Sequence, residues 1–96
     1  MRVTEAAGYR ERRDSISHDW LQTLQQWEMI PLPVPNLARG VAGYVDALAP
    51  DLVVLTGGDD IGETPARDAA ESEILDFAIA RSIPVLGVCR GMQVIN

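Results

Sequence analysis

Two unbroken apolar runs stand out from an otherwise mixed pattern. Leu52-Val53-Val54-Leu55 leads into Thr56-Gly57-Gly58-Asp59-Asp60, and Ile83 to Val88 leads into Cys89-Arg90-Gly91. Runs that do not alternate predict strands buried on both faces, as in a parallel sheet. Between them Thr64 reads as an N-cap with Pro65 at the first helical position. The helix this opens extends to about Arg81, with Ala70, Ile74, Phe77 and Ala78 on one stripe. Asp68, Glu71, Ser72 and Asp76 fall mostly outside that stripe.

The front of the chain is more polar. Met1 to about Ala6 is a short candidate strand, and Gly8 to Ser17 a charged loop carrying Tyr9, Arg10, Glu11, Arg12, Arg13 and Asp14. Ser17 or Asp19 can cap a helix to about Met29, whose Trp20, Leu24 and Trp27 share one face and predict core packing. Three prolines between Ile30 and Pro35 confine that stretch to an extended edge. Asn36 and Gly40 precede a short helix, Val41 to Leu48, which Pro50 stops.

Strands alternating with helices predict an α/β fold built on a doubly wound parallel sheet. Right-handed crossovers would then bring Glu5–Ser17, Thr56–Glu63 and Gly87–Gly91 to one edge. Residues 1–96 are expected to be the N-terminal part of a single domain, because a wound sheet ending at this point leaves a strand edge uncovered.

Gly87-Val88-Cys89-Arg90-Gly91 holds the chain's single cysteine. Strand, sharp turn and helix start make a nucleophile elbow, known for serine as Gly-x-Ser-x-Gly. The glycines allow close approach of strand and helix. The helix amino end offers a dipole and free N–H groups that favour an anion. A nucleophile also needs oxyanion donors and a base. The N–H of Arg90 and the Gly57-Gly58 loop supply candidate donors. His18, the lone histidine, is the only candidate base within the chain, and nothing in the sequence orients it. Against catalysis stands the ordinary reading of a lone cysteine as a small core hydrophobe.

Composition narrows the partners. The apolar fraction is 47% and the charged fraction 23%, with eight arginines, no lysine and a net charge of −6. An acidic chain without a basic stripe argues against nucleic acid, and no apolar run is long enough to cross a membrane. No Cys/His cluster has metal-ligand spacing. With one cysteine and no internal disulfide, the cytoplasm is the expected compartment.

Arg67-Asp68-x-x-Glu71 followed by Ile83-Pro84-Val85-Leu86-Gly87-Val88-Cys89-Arg90-Gly91-Met92-Gln93-Val94-Ile95-Asn96 resembles class I glutamine amidotransferases. The resemblance is closest to their gamma-glutamyl hydrolase-like branch, peptidase family C26. Leu55-Thr56-Gly57-Gly58-Asp59-Asp60-Ile61 matches that branch's oxyanion-strand loop. The resemblance implies a flavodoxin-like fold and a Cys-His-Glu triad that cleaves a gamma-glutamyl amide through a thioester. It makes Cys89 the nucleophile, gives Gly58 and Arg90 the oxyanion N–H groups, and places Gln93 against the glutamyl moiety. Gly57, Arg13, Arg67 and Glu71 are the remaining substrate-binding candidates. The family's His-x-Glu lies downstream of Asn96, so these residues by themselves are expected to be inactive. No cofactor is implied.

Tyr9-x-Glu11-x-Arg13-Asp14, with Trp20 and Pro35-Asn36, resembles a subgroup acting on gamma-glutamyl-CDP-amidate. An arginine at the catalytic edge suits a phosphate-bearing leaving group. Three functions compete. The chain is part of a free-standing gamma-glutamyl hydrolase, active alone or as a homo-oligomer. It is part of a glutaminase that passes ammonia to a synthetase partner. Or it is a non-catalytic flavodoxin-like binding domain that keeps an exposed cysteine.

Overall fold

The computed structural model describes residues 1–5, 11–37, 39–57, 64–89, 91 and 95. Its elements, in chain order, are β1 (Arg2–Glu5), β2 (Arg12–Ser15), α1 (His18–Gln26), α2 (Val41–Leu48), β3 (Val53–Leu55), α3 (Pro65–Ala80) and β4 (Val85–Gly87).

The expected parallel pair is present. β3 and β4 run parallel in the register Val53 to Val85, Val54 to Leu86 and Leu55 to Gly87. The ladder continues past both strand ends, where the Val53 N–H reaches the Pro84 carbonyl and the Val88 N–H reaches that of Leu55. β1 does not join this sheet. It pairs antiparallel with β2, Arg2 opposite Ser15 and Thr4 opposite Arg13. The expectation of a polar loop over residues 8–17 is corrected at residues 12–15, which are strand. Three of those four residues are charged and exposed, so only the cross-strand ladder to β1 makes the segment a strand.

Glycine and proline set the helix limits. Gly40 has a φ of 80° and opens α2; Ala49, also left-handed, closes it before Pro50. A glycine cannot cap with a side chain, and the Glu73 carboxylate on α3 accepts from the Ala42 N–H instead (3.1 Å). This satisfies one of the orphan donors of the first turn. Pro65 starts α3, as its missing N–H and fixed φ favour. The Ser17 hydroxyl accepts from the Asp19 N–H and caps α1.

The core joins α2, α3 and β3 through Val41, Val45, Val53, Leu55, Ile74 and Ala78, with Val34, Leu37, Phe77, Ile83 and Val85 packed on it. β3 is less enclosed than its unbroken run suggests. Val53 and Leu55 are buried, while Val54 is half-buried on the opposite face. There it borders a groove of about 650 Å³ shared with Trp20, Leu24, Met29 and Leu48. α1 buries no residue, and Trp27 is 56% exposed, so the expected Trp20/Leu24/Trp27 core stripe is corrected at its end. Trp27 lies beyond the last helical turn, where the chain has begun to turn away through Glu28 at a φ of 60°.

Asn36 fastens the front hairpin. Asn36 donates from its backbone N–H and from Nδ2 to the two Asp14 carboxylate oxygens (2.9 and 2.8 Å), and from Nδ2 to the Met1 carbonyl (2.6 Å). Hydrogen bonds to an ionised acceptor are the strong kind.

Three substitutions test this packing. Ile74→Ala should lower unfolding free energy by about 3 kcal/mol, as expected for emptying a packed core position. Leu86→Ala, at a side chain 41% exposed, should cost under about 1 kcal/mol. Gly91→Ala should cost at least about 2 kcal/mol, because the new Cβ would overlap the Leu55 carbonyl oxygen and lie 2.8 Å from Leu55 Cβ. Urea titrations of the three variants would check the order.

Candidate active site

The chain leaves β4 at Gly87 and turns at Cys89, and Gly91 is helical again. Cys89 is exposed and has a φ of 52°. The other left-handed non-glycine residues among those described, Glu28, Ala49 and Ser82, each directly follow a helix end. Such ends commonly take this conformation. Cys89 instead lies between a strand and a helix start, where a left-handed residue that is not glycine stores about 1 kcal/mol or more of strain. The turn is closed by the Gly91 N–H donating to the Val88 carbonyl (3.0 Å).

Both glycines of the elbow are required by close approach. A Cβ on Gly87 would lie 2.7 Å from the Gly91 carbonyl group and from Ile95 Cδ1. One on Gly91 would collide with Leu55. Helix start and β3 are therefore in backbone contact, which fixes the elbow relative to the end of β3. That end also holds Gly57, whose Cβ position lies 3.6 Å from Cys89 Cβ. Cys89 and Gly57, expected on one sheet edge, do meet.

Arg67 and Glu71 occupy a different place from the one expected. Both are buried, at 0% and 3% exposure, and neither faces open solvent. The Arg67 Nε donates to Glu71 Oε1 (2.8 Å). Its Nη2 donates to the carbonyls of Thr56 and Gly57, both at 2.9 Å. The pair supports the loop from beneath. Its one sequence signal is the i,i+4 spacing of opposite charges, which by itself points equally to an exposed ion pair.

A cleft of about 420 Å³ opens on the far side of Thr56 and Gly57, lined also by Arg2, Thr4, Ser15, Ile16, Ser17 and Trp20. The antiparallel register puts Arg2, Thr4, Arg13 and Ser15 on one face of the hairpin, since paired residues share a face and the next pair alternates. Arg13 is half-exposed and ion-paired with Glu11 (3.1 Å). It does not line the cleft itself. His18 is exposed at the first position of α1 and does not line the cleft either. Gly58, Arg90 and Gln93 lie outside the described residues. Among the described residues no group of His, Cys, Asp and Glu could hold a metal ion. None of the helices among them is long and apolar enough to cross a membrane.

Sequence comparison relates the chain to known proteins. A gamma-glutamyl-CDP-amidate hydrolase of Campylobacter jejuni is 27% identical over 96 residues, covering 91% of this chain and 46% of that protein. A Mycobacterium tuberculosis protein, provisionally named a glutamine amidotransferase, is 36% identical over 78 residues, 67% of this chain and 25% of that protein. Protein NtpR of Enterococcus hirae is 28% identical over 92 residues, 80% of this chain and 38% of that protein. The chain thus spans between a quarter and a half of the length of these relatives. No solved structure matches significantly. The profile of Peptidase C26 matches residues 2–96, and the chain belongs to that family.

Proposed function

We propose that this chain carries the nucleophile half of a gamma-glutamyl amide hydrolase, with Cys89 attacking the amide carbonyl. The observation that carries the reading is the elbow itself. An exposed thiol sits at a strained φ between two glycines that packing does not allow to be anything else. The Cys89 sulfur forms a bond to the glutamyl carbonyl carbon, and the resulting oxyanion is held by backbone N–H groups. Gly58 and Arg90 are the proposed donors, with Gln93 against the glutamyl group. Collapse breaks the carbon–nitrogen bond, the amine leaves with a proton from the base, and a glutamyl thioester remains. Water then attacks the thioester, releasing glutamate and the thiol.

The base and its orienting carboxylate are the His-x-Glu that the family resemblance puts after residue 96. His18, exposed at the start of α1 and not among the residues lining the cleft, is not given that role. The wound flavodoxin-like sheet of the family would be completed by the same downstream stretch, with the β3–β4 pair within it.

The cleft beside Gly57 is the proposed site for the leaving group. Arg2, the hydroxyl-bearing Thr4, Ser15 and Ser17, and the Trp20 ring line it. Arg13 stands on the same hairpin face. Guanidinium and hydroxyl groups suit phosphate oxygens, and an indole offers a stacking face to a base. A gamma-glutamyl nucleotide amidate, the substrate named for the Campylobacter jejuni relative, fits that lining better than gamma-glutamyl-aminobutyrate.

Two outcomes are expected in glutamate-release assays on the protein that carries this chain together with its downstream residues. Cys89→Ser should reduce release by about three orders of magnitude or more while leaving the fold intact; unchanged release would leave only a binding domain. Gamma-glutamyl-CDP-amidate should be cleaved with a higher kcat/KM than gamma-glutamyl-aminobutyrate or glutamine. If glutamine is preferred, and more so when a synthetase is added, the protein is a glutaminase subunit instead.

A further inference from the structure

Arg67 Nη2 reaches the carbonyls of two consecutive residues at equal distance. In a straight strand successive carbonyls point to opposite sides, so the backbone bends at Thr56-Gly57 to bring both to one nitrogen. In a planar trans peptide the N–H lies opposite the C=O. Drawing the Thr56 carbonyl toward Arg67 therefore turns the Gly57 N–H, on the other edge of that peptide, away from it. A backbone N–H fixed in this way is a pre-placed donor for an oxyanion. The described surroundings of Gly57 on its Cβ side are Cys89 Cβ at 3.6 Å and the Val88 carbonyl oxygen at 4.0 Å.

We propose that Arg67 is the positioning residue of the oxyanion side of the Cys89 site. Held by Glu71, it draws the Thr56 and Gly57 carbonyls inward so that the N–H edge of the turn faces the thiol. The proposal rests on Cys89 being a nucleophile and replaces a direct substrate contact for Arg67, which has no exposed surface. A brace kept for stability alone is a poorer account. Nη1 is buried with no hydrogen-bond partner among the described residues, and buried ion pairs are often matched or bettered by apolar side chains of similar volume. An arginine with an unsatisfied donor is retained where its fork geometry is needed. Here the fork holds two carbonyls and a carboxylate at once.

The test compares two reactions of the chain's single cysteine in the unmodified protein, Arg67→Lys and Arg67→Gln. Acylation by p-nitrophenyl acetate forms the sulfur–carbonyl bond through a tetrahedral oxyanion and expels p-nitrophenolate with its electron pair. Alkylation by iodoacetamide displaces iodide and develops no oxyanion. Both are measured at about pH 9.5, above the ordinary thiol range, so that no base is required. Acylation is expected to slow about 100-fold in the variants, as for a lost oxyanion donor, with alkylation unchanged within about threefold. Equal rates of acylation in all three proteins would overturn the proposal. So would a parallel fall in both reactions, which signals a general disturbance of the elbow.

Should neither variant fold, Glu71→Gln loosens the guanidinium while keeping an oxygen acceptor for Nε. It should lower acylation alone by about tenfold, and no change would likewise overturn the proposal. Because neither reagent is a gamma-glutamyl compound, a protein that releases no glutamate defeats the proposed function without touching this result.

Discussion

The contact on which the other features depend is the guanidinium of Arg67 beneath the end of β3. A buried charge is tolerable only when paired and hydrogen-bonded, and Glu71 one turn along α3 supplies the pairing. The two remaining bonds go to backbone carbonyls of Thr56 and Gly57, so they tie a helix to a loop whatever the side chains of that loop are. Removing one partner of such a buried set typically costs about 3–5 kcal/mol, a large share of the stability of a chain this small. Leu55, one residue before the clamped carbonyls, supports Gly91 through its own backbone and Cβ. The strand end, the elbow and the first turn of α3 are thus one mechanical unit.

How far the sequence could be read depended on whether a feature was local. α2 ends where Gly40 and Pro50 say it must, and α3 starts at Pro65, because these residues constrain φ in any context. The elbow was legible for the same reason, since glycines around a cysteine state a backbone geometry directly. β2 was not. Arg12-Arg13-Asp14-Ser15 has no apolar period and low strand propensity, and it becomes a strand by pairing with β1 ten residues earlier. Glu71 escaped for a related reason. Its place outside the apolar stripe is real, yet the partner that buries it is Arg67, and the loop carbonyls that bury Arg67 are distant in sequence. Trp27 erred in the opposite direction, since its spacing continues a helical face that the backbone abandons after Gln26.

The elbow owes its shape to backbone rather than to side-chain partners. Cys89 is held by packing of Gly87 and Gly91 against neighbouring backbone and side-chain atoms. No flanking side chain needs to be chemically special for the thiol to be presented. In the proposed function this separates presenting the nucleophile, the part given to Cys89 and its elbow, from proton transfer. In the proposed hydrolase the two tasks would be met by stretches on either side of Asn96. A thiol is suited to that division, because it is a good nucleophile once ionised and gains most from pre-placed N–H groups, which cost no reorganisation during reaction.

Gly57 stands where three surfaces meet, and this bears on how specificity could change without loss of chemistry. Beneath it is the Arg67 clamp, beside it Cys89, and across from it the cleft walled by the front hairpin. The first two are built from backbone contacts and buried groups, which tolerate little substitution. The hairpin is anchored separately, by Asn36 to Asp14 and to the Met1 carbonyl, and its cleft-side residues Arg2, Thr4 and Ser15 make no part of the core cluster. In the proposed hydrolase, replacing those side chains would alter which leaving group is accepted while the elbow and its support stay as they are. Substitutions that change specificity in the proposed hydrolase are therefore expected in the hairpin, not at Thr56, Gly57, Arg67 and Glu71.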